Sequence, residues 1–213
     1  MLDLILALSS GAVGGLILAL WPRVSSRLRN LVVLVFSAGG MVFSWRVAQR
    51  LFVGESVRIV GEFGGLAWRL EPDPLGAVFG LIVSTLWLFA AVYSLGYMAE
   101  KHKQRTYYVF FLISLSVTLG VAFSGNLVAL YLFYELLTLA TYPLVIHERS
   151  PEAARAGSKY ILYSLSGAGA ILIAIVITSR WAGSLDFAGG PILADCARPG
   201  LNWLLALFVG GFG

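Results

Sequence analysis

Apolar residues gather along this chain in blocks of about 20, separated by short polar or basic stretches, which is the length that crosses a ~30 Å hydrocarbon layer as a helix. The blocks run from about Leu2 to Leu20, Leu31 to Phe52, Leu75 to Leu95, Tyr107 to Phe123, Leu127 to Ile146 and Ser158 to Thr178. Leu201 to Gly213 begins a seventh, about 20 Å of helix at 1.5 Å per residue and too short for a full crossing. A helix stopping there would leave its last carbonyls without partners in hydrocarbon, so this end is expected to be covered or continued by something else. Between the second and third blocks the chain turns polar, and the alternating runs Val57-Arg58-Ile59-Val60 and Leu66-Ala67-Trp68-Arg69-Leu70, around Gly61, Gly64 and Gly65, predict a small extramembrane β-hairpin. The expected fold is an all-α integral membrane domain over 1–213: six complete transmembrane helices, the start of a seventh, and a hairpin between helices two and three.

Smaller features agree with these spans. Trp21, Trp45, Tyr97, Tyr107, Trp181 and Trp203 fall at predicted helix ends, where interfacial aromatics belong. Ser124-Gly125-Asn126 reads as a tight turn between helices four and five, and Gly11-x-x-x-Gly15 as a helix-packing face. The first block carries Asp3 instead of a basic n-region and has no small-x-small cleavage site before Trp21-Pro22, so it reads as a retained helix.

Composition narrows the function classes. Of 213 residues 59% are hydrophobic and 12% charged, and the mean hydropathy is +0.85, values that belong to a lipid-embedded chain and not to a soluble domain. A lone Cys196, with no Cys or His cluster, offers no intrachain disulfide and no metal, haem or iron–sulfur ligand set, so no cofactor and no metal are expected. The net charge of +4 is spread over short loops without interleaved aromatics, which argues against nucleic acid. Loops 21–30, 100–105 and 147–159 hold nine basic and three acidic residues, whereas loops 46–74 and 179–200 hold six of each. The positive-inside rule then places the first set in the cytoplasm, with the N-terminus and hairpin outside the cell membrane. Arg46 and Arg50 are read as snorkelling from the end of helix two.

Between Tyr107 and Ile146 the only ionisable acid or base is Glu135, near the centre of helix five. An ionised side chain at that depth costs roughly 3 kcal/mol, so its presence needs a reason. Tyr131, Thr138 and Tyr142 stand at i−4, i+3 and i+7, a polar stripe that should face a bundle interior where hydroxyls and water solvate the carboxylate and its proton is easily exchanged. A buried acid that only binds helices together is the plainer alternative. Pro143 removes the backbone bond to Leu139, which permits a local opening or is simply a tolerated kink. On helix six Lys159, Tyr163 and Ser166 share a face, and Lys159 reads as a proton-path residue, as a partner of Glu135, or as a terminal lysine that snorkels. His147 reads as a proton-uptake residue, histidine being the side-chain type suited to that task, or as an interfacial histidine. No Walker loop, G-x-S-x-G elbow, H-E-x-x-H, paired catalytic carboxylates or NADH-binding motif is present, so bond-making chemistry is not expected.

The run from Gly125 to Val145, GNLVALYLFYELLTLATYPLV, resembles helix five of the antiporter-like membrane subunits shared by respiratory complex I, membrane-bound hydrogenases and Mrp-type cation/proton antiporters. Ala156 to Ala168, AGSKYILYSLSGA, is similar to that family's sixth helix, and Leu70 to Phe79, LEPDPLGAVF, to its lead-in to helix three. The resemblance implies that Glu135 matches the family's essential helix-five glutamate, which pairs with a lysine in a broken helix seven, and that Lys159 matches a common basic residue. That lysine would fall just beyond Gly213, so residues 106–213 look like an incomplete first antiporter-type repeat. The implied partners are the bilayer, other membrane subunits, a chain or segment that completes helix seven, and H⁺ or Na⁺. The implied role is ion translocation within an NADH:quinone oxidoreductase-like, hydrogenase-like or Mrp-type complex; the alternative is a non-conducting subunit that anchors its neighbours.

Overall fold

A computed structural model describes residues 1–63, 66–147, 150–187, 192–193 and 199–212, the side chain of Phe63 excepted. Gly64, Gly65, Cys196 and Gly213 lie outside the described residues, as do Glu148 and Arg149 of a basic loop. The elements are α1 (Leu2–Leu20), α2 (Ser26–Phe52), β1 (Ile59–Phe63), β2 (Leu66–Leu70), α3 (Pro74–Tyr97), α4 (Gln104–Ala122), α5 (Leu127–Val145), α6 (Pro151–Ala182) and α7 (Leu201–Phe212). Helices α1 to α6 are each long and apolar enough to cross a membrane, and α7 is a shorter apolar helix.

Helix starts differ from the apolar blocks wherever a capping residue lies in a polar stretch. The Ser25 hydroxyl accepts from Leu28 N, so α2 begins at Ser26 and its first turns hold Arg27 and Arg29, which the sequence reading left in a loop. Ser150 caps Ala153 N ahead of Pro151, so α6 begins one to two turns before the predicted Ser158 and the loop after helix five is correspondingly short. Arg105 likewise lies within α4 rather than before it. Asp73 and Asn126 cap α3 and α5 in the same way.

Helix α4 packs against α1, α2, α3 and α5 and is the axis of the first part of the bundle. Leu115 and Leu119 on it, with Phe123 at its C-cap, join Leu4, Ala7, Val47, Val57 and Leu70 in one buried cluster, and Tyr108, Val109, Phe111 and Leu112 join Leu18, Val33, Ala91 and Met98 in another. The α1 approach uses the predicted glycines: a Cβ on Gly11 would strike the Leu112 carbonyl, and one on Gly15 would lie 2.9 Å from the Val109 carbonyl. Asp3, 3% exposed, sits 3.2 Å from Arg46 Nε and 2.8 Å from Arg50 Nε. The two arginines therefore clamp the start of α1 to the end of α2 instead of only snorkelling.

The predicted hairpin forms, with Val60 opposite Arg69 and Gly61 opposite Trp68, whose ring lies over the bare glycine. Sequence did not disclose what holds it. The α4–α5 turn lies between the hairpin and the segment after α6: Gly125 N donates to Arg69 O (2.8 Å), Glu71 N to Phe123 O (3.0 Å), Leu127 N to Leu185 O (3.0 Å) and Phe187 N to Gly125 O (3.0 Å). Asn126 adds its carboxamide, accepting from Arg69 N (3.2 Å) and Ala129 N (2.9 Å) and donating to Ala67 O (2.9 Å). Arg69 Nη1 meets Asp186 at 3.2 Å over the same turn.

Replacing Asn126, only 2% exposed, by alanine strips three bonds from this clasp, and we expect a loss of about 2–4 kcal/mol, taking ~1 kcal/mol per bond plus one buried amide left unpaired. Thermal unfolding of Asn126→Ala in detergent checks this. Gly11→Leu is expected to separate α1 from α4 and abolish a folded, monodisperse species on size-exclusion chromatography.

Candidate functional site

Asn126 fixes the first turn of α5, and Glu135 lies nine residues on, roughly 13 Å down the helix at 1.5 Å per residue. Its carboxylate is half-buried; Oε1 is fully buried and has no hydrogen-bond partner among the described residues. A buried oxygen in that state is costly unless water or an ion serves it, which sets this residue apart from the satisfied polar groups around it. The exposed face of α5 is formed by Leu132, Leu136 and Leu139.

The polar stripe proposed from sequence divides in three. Tyr131 is half-buried and lies within electrostatic range of the Glu135 carboxylate. Thr138 is buried, and its hydroxyl bonds back to Tyr134 O at 3.5 Å, not to the acid. Tyr142 turns to α6, where its ring would lie 3.1 Å from a Cβ on Gly157. Lys159 is exposed and forms no ion pair with Glu135 among the described residues. His147 is further away: Nε2 lies 3.2 Å from His102 O, the ring meets Tyr107 edge-on, and both histidines line an open cleft with Lys101 and Lys103. His147 lies twelve positions beyond Glu135 and two past the end of α5.

Two features of this part of the bundle were missed, one beside Glu135 and one six residues further along α5. Tyr134, the preceding residue, lies within electrostatic range of both Glu135 and Tyr160 and packs edge-on against Phe212 of α7 at 5.2 Å. Thr141 Oγ1 and Tyr160 Oη lie 2.7 Å apart, a hydrogen bond from α5 to α6. Tyr134, Tyr160, Tyr163, Ser164 and Ser166 line a cleft of about 560 Å³ that Gly167, Gly210, Gly211 and Phe212 complete. The cleft exists because α6 and α7 cross at bare glycines: a Cβ on Gly167 would lie 2.6 Å from Gly211 O. Of the helix-six face singled out in the sequence, Tyr163 and Ser166 line this cleft and Lys159 does not. The i, i+3, i+7 spacing of Tyr160, Tyr163 and Gly167 could have indicated it, whereas the Thr141 contact depends on how two helices meet.

The arrangement can hold water and exchange a proton; among the described residues no group of three or more His, Cys, Asp or Glu is placed to bind a metal. The family described as "NADH:quinone oxidoreductase/Mrp antiporter, TM" matches residues 124–213, and that described as "NADH-Ubiquinone oxidoreductase (complex I), chain 5 N-terminus" matches 60–111. The chain belongs to the antiporter-like membrane subunit family. Within it, the Na(+)/H(+) antiporter subunit A1 of Staphylococcus aureus is 29% identical over 114 residues, 53% of this chain and 14% of that protein. A chain of the membrane-bound sulfane sulfur reductase, an archaeal respiratory membrane complex, superposes with a TM-score of 0.84 at 28% identity, over 99% of this chain and 33% of that one. A chain of the Mrp complex from Dietzia sp. DQ12-45-1b gives 0.78 at 20% identity, over 99% of this chain and 23% of that one. A chain of respiratory complex I from Thermus thermophilus gives 0.73 at 19% identity, over 97% of this chain and 43% of that one; these last two show the shared fold. This chain thus spans less than half the length of each of these proteins. The chains it superposes on belong to membrane complexes.

If the α5–α6–α7 cleft is aqueous, a cysteine placed at Ser166 in a Cys196→Ser background reacts with a water-soluble maleimide, and one at lipid-facing Leu172 does not. Labelling followed by intact-mass measurement checks this.

Proposed function

We propose that this chain is the N-terminal part of a subunit that moves protons, or sodium ions, across the membrane within a larger complex, and that Glu135 alternates between charged and neutral states as the ion passes. The observation that carries the reading is the Glu135 carboxylate, held in mid-helix with one oxygen buried and without a partner among the described residues, beside Tyr134, which lines a polar cleft. The other buried acid, Asp3, is ion-paired with Arg46 and Arg50, and Glu135 has no such pair among the described residues. Membership of a family whose relatives include a Na(+)/H(+) antiporter subunit supports the same reading.

Three finer elements belong to it. A further segment, in the same polypeptide or another, continues α7 and brings a basic group to face Glu135. Its support is the resemblance of this chain to longer family members and the packing of Phe212 against Tyr134. A redox arm or a second antiporter subunit supplies the driving force. The basic loops at 21–30, 100–105 and 147–159 lie in the cytoplasm and the hairpin outside, on the strength of the charge asymmetry.

With the assembled complex in liposomes, Glu135→Gln is expected to lower ion translocation by about 100-fold or more, the range carried by an essential acid–base group. Dye-reported proton uptake and sodium flux read the effect. Full transport by a normally assembled Glu135→Gln complex overturns this reading and leaves the non-conducting anchor. Orientation has its own check: a cysteine at Glu62 of the hairpin should label from the outside of intact cells.

A further inference from the structure

Thr141 and Tyr160 can be assigned donor and acceptor roles from their neighbours. Thr141 Oγ1 lies 2.8 Å from Leu137 O, a backbone carbonyl that only accepts, and 2.7 Å from Tyr160 Oη. Threonine has a single hydroxyl hydrogen; with it on Leu137 O, the Tyr160 hydroxyl donates to Thr141, and the Tyr160 oxygen offers only lone pairs to the cleft it lines. Ser166 is committed in the same sense, donating to Leu162 O at 2.8 Å. Two hydroxyls of the wall thus face the cleft as acceptors. Each of these two turns a hydrogen of a neighbouring water toward itself, while Tyr134, Tyr163 and Ser164 of the same wall can donate as well as accept.

We propose that Tyr160 is a positioning residue for proton delivery to Glu135: latched to Thr141, it orients water in the α5–α6–α7 cleft so that an excess proton passes along that water, beside Tyr134, to the unpartnered carboxylate. The step changes only O–H bonds. One proton leaves the water row for a carboxylate oxygen, the row regains one from the mouth of the cleft, and nothing is oxidised. The latch lies at Thr141, two residues before Pro143, where α5 has already lost the bond from residue 143 to Leu139 O. The inference rests on the translocation reading above, and the test separates the two.

The experiment uses the assembled complex in liposomes, with the rate of proton uptake and its H₂O/D₂O ratio as readouts. Tyr160→Phe should assemble normally, because Thr141 keeps its bond to Leu137 O and no buried group is orphaned. The expected result is a rate lowered about tenfold, the loss of one well-placed hydrogen bond, with a raised isotope ratio. Thr141→Val should do the same, and Thr141→Ser, which keeps the hydroxyl, should match the unmodified protein. Unchanged rate and isotope ratio in Tyr160→Phe, with Glu135→Gln blocked, overturn the inference and leave the translocation reading standing. Transport that survives Glu135→Gln overturns both. Should Tyr160→Phe fail to assemble, Thr141→Val against Thr141→Ser decides, and equal rates overturn the positioning role.

Discussion

Everything about the site depends on the carboxamide of Asn126. One side chain closes the first turn of α5, accepts from the hairpin at Arg69 and donates to it at Ala67, while its backbone neighbours bind the segments on either side. The polar groups of an irregular turn and of a sheet edge are thereby satisfied by one another, which they must be at the border of a hydrocarbon layer. The consequence is positional. With its upper end held to the hairpin and to the chain after α6, α5 cannot slide or rotate freely, and Glu135 is delivered to a fixed depth and direction.

The two ends of α5 are built differently. The upper end has the clasp, the Arg69–Asp186 ion pair and the buried Phe123 beneath it. The lower end has Pro143, a break in the backbone ladder, and is tied to α6 through the Thr141 and Tyr160 hydroxyls and the seat of Tyr142 on Gly157. Hydrogen bonds between hydroxyls carry about 1 kcal/mol each, far less than an array of backbone bonds. Movement is therefore cheaper below Glu135 than above it, and a group that changes charge during a cycle needs one side that can respond.

Sequence disclosed the parts of this arrangement that follow from period and composition. Six membrane-crossing helices were legible as apolar blocks, the hairpin as alternation, and the α1–α4 contact as Gly11 and Gly15. The ends of α2 and α6 were not, because hydropathy measures the span of lipid crossed, whereas a helix begins where Ser25 or Ser150 satisfies its first amides. The signal was present, most clearly in Ser150-Pro151, but an apolar window does not weigh it. Glu135 stood out because charge in mid-membrane is rare. The Tyr160–Thr141 bond and the hairpin contacts of Asn126 were illegible: each joins residues far apart in sequence through the angle at which two elements meet, which no periodicity encodes.

The contrast between the two buried acids shows how much burial alone decides. Asp3 is more deeply buried than Glu135, yet two guanidinium groups lie within 3.2 Å of it and pair with it. Glu135 has tyrosines nearby and no described cation in contact. An acid so placed takes its solvation from whatever reaches it, be it water or a basic group brought by a further segment. Control of that solvation therefore lies with the surroundings of Glu135, and the hydroxyls of α5 and α6 that line those surroundings are part of the site.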